Sequence, residues 1–448
     1  MKRLFALLLV FAMVACLFVG CGSNGSDDNS ISNAANDNNV TAKDNGGSGT
    51  SNADFKAGFV LIGDENEGYT YAHIVGIEKA MGELGLDKSA NAVWKYSVPE
   101  DESCYDAIVD CIDQGCQVVF TNSYGHQSFA QQAAEEHPEV QIVSMTGDTA
   151  KSSGLPNFHN AFTKIFEARY VAGVVAGMKI KELADGGKLS DSNYDADGNV
   201  KIGYVGAYPY AEVVSGYTAF FQGAKSIYEK VSMEVQYTNS WFDITGENEA
   251  AVALIADGCV IVGQHADSTG AASACEAALS AGTTVYNVGY NVDMLSAAPN
   301  AALVSPTNEW DVYYKYAIGA MLDGKEFDVN WAEGFDQDAV ALTELGSSCA
   351  PGTQEAVDQA IADIKAGTVH PFDVSKFTCL GSYEEGKTTA FQIDAEGHVT
   401  AAFATDTDGD FTPDADEAVF DGYYHESYFQ SAPSFSLRID GITELNNN

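Results

Sequence analysis

The chain has 448 residues, a formal charge of −42, and 46% hydrophobic and 11% aromatic residues. That content excludes a disordered chain and suffices for two domains with a substantial core. The acidic excess opposes binding to nucleic acid and to anionic lipid headgroups, while leaving a neutral or cationic ligand open.

In chain order, Lys2 and Arg3 precede an apolar run from Leu4 to Val19, too short to span a bilayer as a mature helix, and then Gly20 and Cys21. Residues 1–20 read as a secretory signal. Phe18-Val19-Gly20-Cys21 is similar to a bacterial lipobox, which makes Cys21 the expected lipidation site. Met13-Val14-Ala15-Cys16 is an earlier candidate, and a plain signal with an incidental Cys is the alternative. Residues 21–54, rich in Gly, Ser, Asn and Asp, read as a flexible tether. The expected location is the extracytoplasmic face of a cell membrane. Seven Cys remain beyond the signal and Cys21; Cys349 and Cys379 flank a helical segment and are a candidate disulfide, with buried thiols the alternative for the others.

From Ala57 short apolar runs alternate with amphipathic segments. Residues 57–62, 118–121, 140–145, 201–205, 231–237, 260–262 and 284–288 read as strands buried on both faces. Helical patterns fall between them, at 73–84, 105–113, 129–136, 167–183, 213–228, 247–257 and 271–279. This is an α/β pattern of βαβ units and parallel sheets. Two similar lobes fit it better than one long sheet, with the break near Lys181–Asn199. After His370-Pro371 helical periodicity is absent, and residues 371–448 read as a small β-rich extension. There Asp406, Asp408, Asp410 and Glu417 fall at calcium-loop spacing, with Phe411 where the template needs Gly. The readings are a structural Ca2+ site or a solvated acidic turn; no other cofactor is expected.

Ligands of open parallel sheets sit outside the carboxyl ends of the strands, so the loops there carry the functional argument. They hold Asn66, Tyr69, Tyr71 and His73; Tyr124; Tyr208; Trp241, Phe242 and Asp243; His265 and Asp267; and Asn291 with Asp293. Aromatic rings interleaved with amides and carboxylates suit a flat, polar-edged ligand. No nucleophile elbow, zinc helix, phosphate loop or dinucleotide fingerprint appears, so an enzyme is not expected.

Gly68-Tyr69-Thr70-Tyr71-Ala72-His73, Asn160-Ala161-Phe162 with the run from Glu167 to Gly173, Gly203-Tyr204-Val205 with Glu212-Val213-Val214, Asn239 to Asp243, and Gln264 to Ser268 resemble, as an ordered set, the basic membrane protein family. Its members are lipoprotein solute receptors of ABC importers, of the purine-nucleoside-receptor type. The resemblance covers about residues 57–364. It implies a type I periplasmic-binding-protein fold, with two doubly wound parallel-sheet lobes and a hinge. The two-lobed region is 55–370, the lobes roughly 55–165 and 166–285, with later segments crossing between them. It implies capture of a purine base or nucleoside and delivery to ABC permease subunits. Tyr69 stands where the base-binding branch carries Trp, and the Asp-Lys-Ser-Phe-Asn loop of the other branch is missing. On these residues, Tyr69 and Trp241, with Tyr124 or Phe242, would sandwich the base. Asp243, Asp267 or Asn66 would accept from its N–H groups, and Asp293 and Asn291 would hold a ribose. His265 is a candidate donor or a structural residue, and Arg169 with Glu167 reads as a structural pair on one helix. A sugar or other polar metabolite receptor and an extracellular nucleoside-acting enzyme are the alternatives.

Overall fold

The computed structural model describes residues 52–382, 391–403 and 417–446. Cys21, Asp406, Asp408 and Asp410 lie outside them. The first stretch gives β1 (Ala57–Val60), α1 (Gly68–Glu83), β2 (Ala92–Lys95), α2 (Glu102–Asp113), β3 (Val118–Thr121), α3 (Gln127–Glu136), β4 (Gln141–Ser144), α4 (Ala150–Ser153) and β5 (Phe158–Thr163). The side chains of β1, β3 and β5 are buried throughout, because helices cover both sheet faces. Glu67 and Asp101 cap α1 and α2 by accepting backbone N–H groups of the first turn.

The chain next forms α5 (Ile165–Asp185), β6 (Val200–Gly206), α6 (Ala211–Ile227), β7 (Val231–Tyr237), α7 (Ile244–Ala256), β8 (Ile261–Gln264), α8 (Gly270–Ser280), β9 (Tyr286–Val288) and β10 (Ala302–Val304). It then runs through β11 (Pro306–Asn308), α9 (Trp310–Leu322), β12 (Asn330–Glu333), β13 (Val340–Leu342) and α10 (Thr353–Lys365). Strand β12 pairs parallel with β5, and α9 packs on α1, so this later segment returns to the first lobe. The first sheet is ordered β12-β5-β4-β3-β1-β2. Three crossovers therefore join the lobes, at Thr163–Ile165, around β11, and between β12 and β13. β11 and β13 pair antiparallel as a short ribbon between the lobes.

The break expected near Lys181–Asn199 is corrected by this topology. Helix α5 already belongs to the second lobe, packed along α6 where Gly173 and Gly223 leave no room for a Cβ against the facing backbone. Residues 190–199 form a turn and bridge (Tyr194 with Val200) leading into β6. β7 is also not buried on both faces: Ser232, Glu234 and Gln236 alternate with buried Val231, Met233, Val235 and Tyr237.

The described residues of the extension include two small antiparallel hairpins, β14 (Phe391–Ile393) with β15 (Val399–Ala402) and β16 (Val419–Phe420) with β17 (Tyr423–Tyr424). β18 (Ile442–Glu444) then pairs parallel with β7, completing a second sheet ordered β10-β9-β8-β6-β7-β18. Phe372, Phe377, Tyr424 and Phe435 form an aromatic core for the extension, and Phe166 of α5 anchors it to the second lobe. Cys349 and Cys379 are both free thiols. The Cys349 thiol donates to the Leu303 carbonyl at 3.3 Å, and Cys379 is buried.

Candidate functional site

A cavity of about 900 Å³ lies between the lobes at the carboxyl ends of both sheets. The first lobe contributes Glu67 and Tyr69 from the start of α1, and Asn122 and Tyr124 after β3. Tyr69 is fixed by its hydroxyl, which donates to the Asn122 carbonyl at 2.6 Å, and by His73 edge-on at 4.5 Å. His73 is fully buried, stacked on Trp310 at 4.3 Å and bonded to the Tyr314 hydroxyl at 2.8 Å; burial keeps its imidazole well below the usual pKa.

The second lobe contributes Tyr210, Glu212, Trp241, His265 and Asp267, and the β9 loop adds Tyr290. Tyr208 and Tyr210 stack at 5.0 Å, Trp241 meets Tyr208 edge-on at 4.9 Å, and Tyr124 faces Tyr210 at 5.9 Å across the cleft. The lobes also touch through backbone, Gly68 N–H donating to the Asp267 carbonyl at 3.2 Å.

His265 sits between Glu212 and Arg169. Burial holds its pKa below the ordinary value, and one neutral tautomer satisfies both neighbours. Nε2–H donates to Glu212 at 2.9 Å, and Nδ1 accepts from Arg169 at 3.2 Å. Both ring nitrogens are thus committed within the protein, so His265 offers the cavity its ring and not a donor. Arg169 further donates to the Gln264 carbonyl at 2.6 Å and lies 3.6 Å from the Tyr290 ring centroid. It does not pair with Glu167, since residues two apart on a helix face different ways. The Glu167 carboxylate instead accepts from Phe335 N–H in the third crossover at 2.9 Å.

Asp267 ends a hydrogen-bond chain that begins in the crossovers. The Thr163 hydroxyl donates to Asn308 at 2.5 Å, Asn308 to Asn291 at 2.8 Å, and Asn291 to Asp267 Oδ1 at 3.1 Å. Burial, then the neighbouring carboxylates Glu67, Glu247 and Glu212, push the Asp267 pKa well up; burial raises Glu67 too. Carboxylates so placed are stabilised by a partner that donates hydrogen bonds or carries positive charge.

Of the expected site residues, Tyr69, Tyr124, Trp241, His265 and Asp267 come together on the cavity wall. Asn291 and Tyr208 stand behind that wall, supporting Asp267 and Trp241. The remaining five are not on it. Asn66 is exposed and bonded to Asp64 at 2.8 Å, and Tyr71 and Phe242 are 45% and 41% exposed. Asp243 caps α7 through the N–H groups of Thr245 and Gly246, and Asp293 accepts from Leu295 N–H at 2.7 Å. Neither of these two carboxylates lines the cavity. Glu67, Glu212, Tyr210 and Tyr290 are cavity residues that the sequence reading did not select, although Glu67, Tyr210 and Tyr290 lie in the same strand-end loops and Glu212 in a family motif. Glu417, the described member of the acidic loop, accepts from Ala402 and Val419 N–H groups at 2.9 and 3.1 Å. Among the described residues no cluster of three or more acidic, His or Cys side chains could hold a metal ion, and no helix is long and apolar enough to cross a membrane.

Residues 61–365 match the family model described as ABC transporter substrate-binding protein, PnrA-like. A purine-binding protein of Brucella abortus is 30% identical over 329 residues, 73% of this chain and 85% of the relative. A putative ABC transporter glucose-binding protein of Haloferax volcanii is 29% identical over 282 residues, 60% of this chain and 64% of the relative. Among solved structures, a solute-binding protein of Aeropyrum pernix superposes with a TM-score of 0.56 at 15% identity, covering 71% of this chain and 93% of that one. Another, from Conexibacter woesei, gives 0.53 at 18% identity, covering 70% and 98%. These two likenesses concern the fold, which is the type I binding-protein architecture.

Proposed function

Because the chain belongs to the family of PnrA-like ABC transporter substrate-binding proteins, we propose that it captures a purine base or nucleoside outside the cytoplasm, held to the membrane by a lipid on Cys21, and hands it to permease subunits. The observation that carries the ligand reading is the convergence of Glu67, Glu212 and Asp267 on a cavity walled by Tyr69, Trp241 and Tyr290. A purine presents faces for stacking and an edge of ring N–H and amino groups that donate to carboxylates. Tyr69 and Trp241, from opposite lobes, clamp the ring, and Asp267 takes its edge. The name of the Brucella relative supports this ligand class.

Capture is a hinge motion about the crossovers. Its free energy comes from contacts made only when the lobes close, among them Gly68 to Asp267 and the ligand's bridge between Tyr69 and Trp241. Isothermal titration against adenine, guanine, xanthine, their nucleosides and glucose tests the reading. Saturable binding of a purine compound is expected. Binding of glucose alone would move the chain to the sugar reading that the Haloferax relative's name suggests. For the anchor, Cys21→Ser is expected to shift the protein from the membrane to the soluble fraction with ligand binding intact; retention in the membrane would remove Cys21 as the lipid site.

A further inference from the structure

One wall of the cleft comes from neither lobe. Gln430, Ala432, Pro433, Ser434, Ser436 and Arg438 line the same cavity as Tyr69 and Trp241, yet they belong to the extension, downstream of the residues that match the family model. This segment is fixed in place. The buried Glu426 carboxylate accepts from the N–H groups of Ser434 and Phe435 at 3.1 and 2.8 Å. Phe435 stacks on Phe372 at 4.4 Å, and β18 locks the downstream end to β7. The segment touches both lobes. The Ser431 hydroxyl donates to the Gly147 carbonyl of the first lobe at 3.2 Å, and Arg438 leans on the Pro209 carbonyl of the second at 3.5 Å. Arg438 is held by Glu444 at 3.1 Å and by the Ser436 carbonyl at 2.7 Å, while Glu444 also receives the Tyr217 and Tyr237 hydroxyls.

The chemistry of this wall differs from that of the ring clamp. It offers the Gln430 amide, the Ser436 hydroxyl and the Arg438 guanidinium. Thr146, on the β4 loop beside Gly147, adds a buried hydroxyl with no hydrogen-bond partner among the described residues. These are groups that hydrogen-bond hydroxyls. The cavity is also larger than a bare ring requires: about ten non-hydrogen atoms of a purine leave much of a drug-sized space to water. Phosphate is disfavoured by Glu67, Glu212, Asp267 and Asp148 around the same cavity.

We propose that residues Gln430–Arg438 form a second subsite, contributed by the extension, that binds a hydroxyl-rich, uncharged substituent carried by the ring held between the lobes. The proposal rests on the purine reading and narrows it, making a nucleoside the preferred ligand over either a free base or a nucleotide.

The test is titration calorimetry on the full chain with adenosine, guanosine, adenine and guanine, repeated on Gln430→Ala/Ser436→Ala. Neither side chain makes a hydrogen bond among the described residues, and both are at least partly exposed, so the double variant is expected to keep the wild-type melting temperature. The wild type is expected to prefer a nucleoside over its base by at least about tenfold, and the variant to lose most of that preference while base affinity moves less than about twofold. Equal wild-type affinity for base and nucleoside, or a variant that weakens both alike, would overturn the subsite while leaving the purine reading standing. Absence of binding by all four compounds, and by xanthine and its nucleoside, would overturn both.

Discussion

Replacing Asp267 by Asn separates ligand recognition from folding. Asn291 donates to Asp267 Oδ1, and Asn291 is itself oriented by Asn308 and Thr163. An Asn at 267 must therefore turn its oxygen toward Asn291 and present its NH2 group where the second carboxylate oxygen stood. A ligand N–H then meets a donor instead of an acceptor. A hydrogen bond to a charged group contributes about 1.5–3 kcal/mol, so affinity is expected to fall roughly ten- to hundredfold. The unliganded protein should respond in the opposite sense. Burial and the neighbouring carboxylates raise the Asp267 pKa in the unliganded folded state, so keeping this carboxylate ionised, as the ligand's N–H edge requires, costs stability that the Asn variant does not lose. The resulting destabilisation is missing below the ordinary Asp pKa and grows as pH climbs toward the raised value. At neutral pH the variant should melt at or above the wild-type temperature, and in acid the two should converge. Titration calorimetry with the bound purine compound, paired with thermal melts at several pH values, reads both arms. An affinity within about threefold of wild type, or a clearly lower melting temperature at neutral pH, would refute the assignment of Asp267 as the acceptor of the ligand's edge.

Trp241→Ala should weaken binding by roughly thirtyfold, as truncation of a stacked anchor costs about 2 kcal/mol, with a smaller effect on a denaturant melt of the unliganded protein; unchanged affinity would take Trp241 out of the clamp. Gly68→Val would crowd the Asp267 carbonyl, 3.0 Å from the position of a Cβ, and Val292 at 3.5 Å. It is expected to lower affinity and enlarge the ligand-bound radius of gyration in small-angle scattering, with the melt of the unliganded protein little changed. Glu247 and Glu426 are both pushed by burial up to about 7. Their folded-state pKa lies above the unfolded one, so they destabilise progressively as pH rises from their ordinary value toward 7. Thermal melts should therefore show higher stability near pH 5.5 than near pH 8, with a flatter profile in Glu426→Gln; an unchanged profile in that variant would exclude Glu426 as a contributor.

The parallel-sheet architecture is readable where strands hold continuous apolar runs, as in Val118–Phe120 and Val260–Val262. β5 is hidden because Phe158–Thr163 carries His159 and Asn160, whose polar atoms find partners that no pattern announces: the Asp328 carbonyl, the Gln141 side chain and Ala150 N–H. β7 carries its half-exposed character in the sequence itself, where Val, Met, Val and Tyr alternate with Ser, Glu and Gln. In the site, loop position was informative for Tyr69, Trp241 and Asp267. It did not separate carboxylates facing the cavity from those capping a helix. Asp243 stands before Ile244-Thr245-Gly246 as an ordinary cap, and Glu67, not Asn66, is the residue of its loop that caps α1 and faces inward. Arg169 and Glu167 share a helix but do not pair, because the contacts of Arg169 come from the last residue of β8 and the one after it, 95 and 96 residues later.

The pairing of β18 with β7 has a consequence for how the molecule is made. Tyr237 N–H is satisfied by Asn446, 209 residues downstream, and Met233 by the carbonyl of Gly441. As the chain emerges in order, β6 and β7 can pair early, but the outer edge of β7 waits until the intervening residues have crossed to the first lobe and returned. Closing so long a loop is slow, and an unpaired strand edge is a template for association with other chains. The alternating polar face of β7, with Glu234 at its centre, keeps that waiting edge from being uniformly apolar. Completion of the second sheet is thus tied to arrival of the same extension that walls the cleft, so the last strand and the last wall of the cavity are put in place together.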